Sequence, residues 1–260
     1  MESSSTPSIT PRDRAIEESA GIAFDAAWHA RQLLRTARVA FLSTLDPNGA
    51  YPYGTITNAA TQPDGAPYFY ATGLALHARN IQANPRVCLA FAPLNGGDVL
   101  TAPRLSVAGK VTRIASPDLE PAMRRYLARF PKSKLYTGLR DAAFYRLDIE
   151  NVQFSGGPAM NATGVTAENL RINIRHAQSL LAEEHSEIAR INGVPGEATR
   201  IAEVAGATVA SWKVISIDPD GIELGSGKQF RRLFFNEPVH SLDALKEALA
   251  TLALHPGVDL

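Results

Sequence analysis

YFYATGLALHARNIQANPRVCLAFAPLNGGDVLTAPRLSVAG, residues 68–109, is the stretch whose reading decides the fold. It reads as a strand (Tyr68 to Ala71), a short helix (about Leu76 to Ala83), a buried strand (Val87 to Ala92), a Gly-rich loop and a second strand opened by Arg104. Proline cannot continue a helix and biases its predecessor away from helical angles, so Asn84-Pro85 closes the helix. Val87, Cys88, Leu89 and Phe91 suit a buried strand. The start of the helix sets Thr72, His77 and Asn80 near backbone N–H groups that have no partner within the helix. Hydroxyl, imidazole and amide groups at that place favour an anionic ligand, and Arg104 can add a positive charge.

Outward from this stretch, Asp25 is a candidate N-cap for a helix to Ala37, with Ala27, Ala30, Leu33, Leu34 and Ala37 at helical spacing. Val39 to Leu45, the turn Asp46-Pro47-Asn48-Gly49 and Tyr51 to Ala59 form a hairpin signal. Pro-Asn-Gly supplies the fixed and positive φ angles of a reversal. With Pro63-Asp64-Gly65 leading into Tyr68, three strands make a meander. On the second strand Thr55 and Thr57 are placed to reach a ligand, although threonine is also an ordinary strand former. A strand from Arg104 to about Ile114 and a helix over about 118–129 follow. Thr166 opens a helix expected to run to about Ile191, and Gly193, Pro195 and Gly196 then break the chain. A strand over 209–217, two turns with strands between and after them, and a helix capped by Ser241 complete a helix, hairpin and helix order.

The totals fit a globular protein: 260 residues, 45% apolar, 20% charged, net charge zero. The part before Val165 is mildly basic and the rest mildly acidic, and no Lys/Arg block points to nucleic acid. Cys88 is the only cysteine, so no intrachain disulfide can form, which suits a reducing compartment. The opening MESSSTPSITPRDR has no apolar core of a secretory signal, and no apolar run approaches the roughly 18 residues of a membrane span. The expectation is a cytoplasmic protein without a membrane partner. Dinucleotide, Walker, serine-elbow and Cys-x-x-Cys signatures are all missing.

The run Thr72-Gly-Leu-Ala-Leu-His77-Ala-Arg-Asn80 with Pro103-Arg104-Leu-Ser-Val-Ala-Gly109 resembles the FMN-binding split barrel of pyridoxamine 5'-phosphate oxidase and its relatives. It looks most like the two-domain haem-utilisation (HugZ-like) branch. Residues 1–15, rich in Ser, Thr and Pro, read as a disordered tail; beyond them the resemblance implies an α+β protein, with a split β-barrel over 16–165 and a small C-terminal α+β domain over 166–260. It implies a homodimer with FMN between subunits, its phosphate met by Thr72, His77, Asn80 and Arg104, with Thr55 and Thr57 along the adjacent strand. The chain departs from the oxidases where they carry phosphate-binding cations: Thr55 and Ala60 stand for an Arg and a Lys, and His77 for a Lys. Ala142 and Pro158 replace aromatic residues, and Arg171 to Gln178 keeps only Asn173 and His176 of a polar family pattern. Haem-degrading members use a histidine near the C-terminus as iron ligand; by position that is His255, although Leu-His255-Pro256-Gly257 reads more simply as a plain helix end. Two functions follow from the likeness: an FMN-dependent oxidoreductase acting in haem utilisation or degradation, with haem as substrate or ligand, or a non-catalytic haem- or protein-binding regulator on the same fold.

Overall fold

The computed structural model describes residues 24–93, 97–158, 160, 162 and 164–254. The expected tail over 1–15 and His255 lie outside them. Six strands close a barrel in the order β1-β2-β3-β6-β5-β4: β1 (Val39–Leu45), β2 (Pro52–Thr61), β3 (Pro67–Thr72), β4 (Arg86–Phe91), β5 (Arg104–Arg113) and β6 (Ala142–Ser155). Helix α1 (Ala26–Thr36) precedes β1, α2 (Leu76–Ala83) joins β3 to β4, and α3 (Leu119–Arg129) lies between β5 and β6. The short α4 (Ala167–Leu170) follows, then α5 (Gln178–Gly193), α6 (Glu197–Val204), a separate sheet of β7 (Lys213–Asp218), β8 (Gly221–Ser226) and β9 (Gln229–Phe234), and α7 (Leu242–Leu254). The α+β class and the split barrel expected from the sequence are what the structure has.

The chain divides into two compact units, each built from separated segments. One takes residues up to Ala59, Phe69–Arg113 and Tyr145–Leu170; the other takes Ala60–Tyr68, Ile114–Phe144 and Arg171 onward. In the first, strand alternation sends Ala40 and Leu42 of β1, Leu89 and Phe91 of β4, and Leu105 and Val107 of β5 into the core. Phe69 stacks on Tyr145 with ring centroids 5.8 Å apart. Asp25 caps α1 by accepting a hydrogen bond from the Trp28 N–H at 2.9 Å, as its position predicts.

In the second unit the small sheet buries both faces. Ile217, Ile222 and Leu233 form one cross-strand row and join Leu180 and Ile191 of α5, Ile201 of α6 and Leu245 of α7 in an apolar core. The opposite face carries the row Ser216, Glu223, Arg232 with Asp218, all closed off from solvent by side chain. Arg125 of α3 donates to Asp218 Oδ2 at 3.0 Å, to the Ile217 carbonyl at 2.9 Å and to Glu184 of α5. Arg129 donates to Glu223 Oε2 at 2.8 Å, and Arg232 to Asp218 Oδ1 at 2.6 Å. Burial works against the charge on Arg125, yet the Glu184 and Asp218 carboxylates outweigh it and hold its pKa above the ordinary value. Tyr68, whose hydroxyl donates to the Ala122 carbonyl at 2.9 Å, is pushed well above the usual phenol range by burial.

Three sequence expectations are corrected here. The helix expected from Thr166 to Ile191 is broken into α4, a 3₁₀ turn over Arg175–Ala177 and α5. The Asn173 side chain accepts from the Arg175 N–H at 3.0 Å, Ile172 N–H bonds the Asp64 carbonyl at 2.9 Å, and Arg171 pairs with Asp64 at 2.7 Å. These bonds take up backbone groups that a continuous helix needs. The strand expected over 209–217 begins only at Lys213, and α6 fills residues after the Gly193-to-Gly196 break to which the sequence reading gave no element. At the first hairpin the left-handed residue is Ala50 (φ 55°) rather than a residue of Pro-Asn-Gly, while Asp46 Oδ1 accepts from the N–H groups of Asn48 and Gly49.

Candidate functional site

Thr72 closes β3, and its carbonyl accepts from the Ala75 N–H at 3.1 Å, folding Gly73 and Leu74 into the turn that starts α2. Ala75 caps that helix without a side-chain bond, and no acidic residue lies in its first turn. The helix therefore starts with exposed donor groups and an unopposed dipole, a favourable place for an anion. His77 sits in this first turn, half-buried, and its imidazole has no hydrogen-bond partner among the described residues. Burial lowers its pKa, so near neutral pH it offers an N–H donor rather than a charge.

Asn80, one turn on, is placed differently from its neighbours. It is wholly buried, and its Nδ2 donates to Thr44 Oγ1 at 3.0 Å, which ties α2 to β1. Its Oδ1 has no partner. Thr55 and Thr57 are half-buried and stand opposite Leu42 and Ala40 of β1, and the Thr57 hydroxyl donates to the Asn58 carbonyl at 3.3 Å. Arg104 is half-buried and donates to the Val99 carbonyl and to Ser155 Oγ, each at 3.3 Å. No carboxylate among the described residues neutralises it.

The barrel register sets the Asn80 anchor apart from Arg104. Thr44, which holds Asn80, shares a row with Tyr53, and neighbouring pairs carry that row to Val87 and Gly109. The row that reaches Arg104 passes through Val39. Val39 and Thr44 are five residues apart on β1, roughly 17 Å at strand rise. Thr72 and His77 fall together at the α2 start, while Thr57 of β2 pairs with Ala40, one residue from the Val39 row that reaches Arg104.

Sequence reasoning missed a cleft of about 340 Å³ on the barrel wall, lined by Ser43, Thr44, Leu45 and Pro52 with Arg86, Val87, Cys88, Ala108, Gly109 and Glu150. The small residues make the hollow. Gly109 is indispensable to it: a Cβ there would lie 1.9 Å from the Asp148 carbonyl oxygen, where the β5–β6 register shifts. Flanking the cleft, Phe41, Leu45 and Ile56 point outward and are 41%, 37% and 64% exposed. The signal was present as apolar residues on both alternations of β1 and β2. Cys88, on this face, is half-buried, and burial raises its pKa.

The family profile described as pyridoxamine 5'-phosphate oxidase matches residues 28–156. A solved structure of Atu2129, a protein of unknown function from Agrobacterium tumefaciens str. C58, is 44% identical, with TM-score 0.82 over 95% of this chain and all of that one. Human Protein CREG1 is 25% identical over 173 residues, 60% of this chain and 75% of the relative. The chloroplastic non-canonical heme oxygenase HOZ of Arabidopsis thaliana is 27% identical over 130 residues, half of this chain and 40% of the relative. Among the described residues, no helix is long and apolar enough to cross a membrane.

Proposed function

The chain belongs to the pyridoxamine 5'-phosphate oxidase-related split-barrel family, and from that membership we propose that it is an FMN-binding oxidoreductase acting in haem utilisation. The observation that carries the reading is the start of α2: an uncapped helix N-terminus with Thr72 and a partnerless, half-buried His77 beside it. These residues fit a phosphate, which helix N-termini and hydroxyl or imidazole donors hold well. Thr55 and Thr57 would hold the adjoining part of the cofactor, while Asn80 acts one step back by fixing α2 on β1. A bound flavin supplies electron transfer; the protein supplies binding, orientation and a shaped pocket.

The reading includes a homodimer. The outward apolar strip of Phe41, Leu45 and Ile56 suits burial against a second copy, and Arg104, which no carboxylate among the described residues neutralises, would bring a cation to the cofactor. The heme oxygenase relative supports haem as the substrate or ligand, and the lone half-buried cysteine suits a cytoplasmic setting. A regulator without turnover is favoured by one observation: the β2 positions where the oxidases carry cations hold Thr55 and a buried Ala60.

The visible spectrum of the purified protein, before and after FMN and then haem with unbound ligand removed, tests the proposal. Flavin bands at about one per chain are expected. Arg104→Ala should lower FMN retention at least about tenfold with an unchanged circular-dichroism melt. A chain that stays colourless with FMN overturns the oxidoreductase reading in favour of the regulator.

A further inference from the structure

His176 and His240 meet in the second unit with ring centroids 6.3 Å apart and planes at 75°. Both are exposed, and neither imidazole has a hydrogen-bond partner among the described residues. Each is carried by pinned backbone. His176 lies in the 3₁₀ turn before the wholly buried Ala177, whose N–H bonds the Ile174 carbonyl at 3.0 Å. His240 lies between buried Val239, whose N–H bonds the Pro219 carbonyl at 2.9 Å, and Ser241, whose Oγ accepts from the Ala244 N–H at 3.1 Å. Anchors on both sides of two separate loops place the rings face to edge without using either ring nitrogen in the fold.

We propose that His176 and His240 form a two-histidine site for a late divalent transition metal such as Zn²⁺ or Cu²⁺. Neutral imidazole suits these ions. With a metal–nitrogen distance of about 2.0–2.1 Å, two imidazoles on one tetrahedral ion have centroids roughly 5 Å apart. Sharing one ion requires the exposed rings to turn from face-to-edge so that a nitrogen of each meets a common point, a change of side-chain rotamer that leaves both backbone anchors in place. Two protein ligands leave positions open for water or a carried ligand, and the exposed rings leave an entry path. No group of three or more His, Cys, Asp or Glu side chains is arranged for a metal among the described residues, so this pair would bind with two protein ligands alone.

Calorimetric titration of the full-length chain with ZnCl₂ in a non-coordinating buffer tests the site. Uptake of about one zinc per chain is expected, with affinity falling at least about tenfold in His176→Ala and equally in His240→Ala. His185→Ala, on α5, should leave it unchanged. Absence of uptake at about 100 µM zinc, or uptake that survives both substitutions, overturns the proposal.

Discussion

A side chain as small as a methyl group can decide whether the barrel closes. At Gly109 an added Cβ would sit 1.9 Å from the Asp148 carbonyl oxygen, a backbone atom that cannot step aside. Gly109→Ala should therefore destabilise the protein by several kcal/mol, on the order of 3–5, read as a lowered urea midpoint. Loss below about 1 kcal/mol would mean that the bulge relaxes freely. His77 gives a prediction of function at the same scale. Its pKa is lowered by burial, so it meets an anion without a charge of its own near neutral pH. His77→Lys should tighten FMN at least about tenfold in equilibrium binding, because a charge-assisted bond replaces a neutral one. Equal or weaker binding would move the phosphate away from α2. Of the six cofactor residues named from sequence, Thr72 and His77 had a legible placement beside the start of α2, because a helix start has a chemistry independent of tertiary context. Asn80 was not, since only the fold shows that its amide spends a donor on Thr44.

The small sheet of the second unit shows why elements need the rest of the molecule to be read. Alternation along β8 puts Ile222 and Leu224 on the apolar side and Glu223 on the other, which from sequence alone looks like a solvated face. In the structure that face is buried against Arg125 and Arg129, four residues apart on α3. Burial of a well-paired ion network adds little net stability, whereas removing one partner leaves charges stranded in a medium that cannot solvate them. Asp218 is bonded to two guanidinium groups, those of Arg125 and Arg232. Asp218→Ala should cost about 3–5 kcal/mol in chemical unfolding, more than Glu120→Ala, whose pair with Arg124 is largely exposed. Equal costs for the two would show that water reaches the network. The single helix expected over 166–191 failed for a related reason: Asp64, a hundred residues earlier, takes Arg171 and the Ile172 N–H. Helical spacing carries no record of so distant a partner.

At the scale of the whole chain, order in sequence and membership of a compact unit part company. A boundary near 165 lies close to the change of unit after Leu170, but residues 60–68 and 114–144, which come earlier, belong with everything from Arg171 onward. The barrel was readable because its signals are local: turns, alternating strands and the closing Asn84-Pro85. The second unit's composition was not, because its ionic layer is made by residues as far apart as Arg129 and Glu223. A fragment ending at 165 keeps Arg125, Arg129 and Tyr68 and loses Glu184, Asp218 and Glu223. It therefore retains cations that were buried only because carboxylates from beyond the cut paired with them. Fragment 1–165 should lack a cooperative thermal transition or melt at least about 10 °C below the full chain, and be cut rapidly by protease within 114–144. Adding a separately expressed 166–260 fragment should restore protection there. Full protection of 1–165 by itself would mean that α3 finds its stability in the barrel, and that the ionic layer orients the C-terminal segment without being needed to hold the segment it meets.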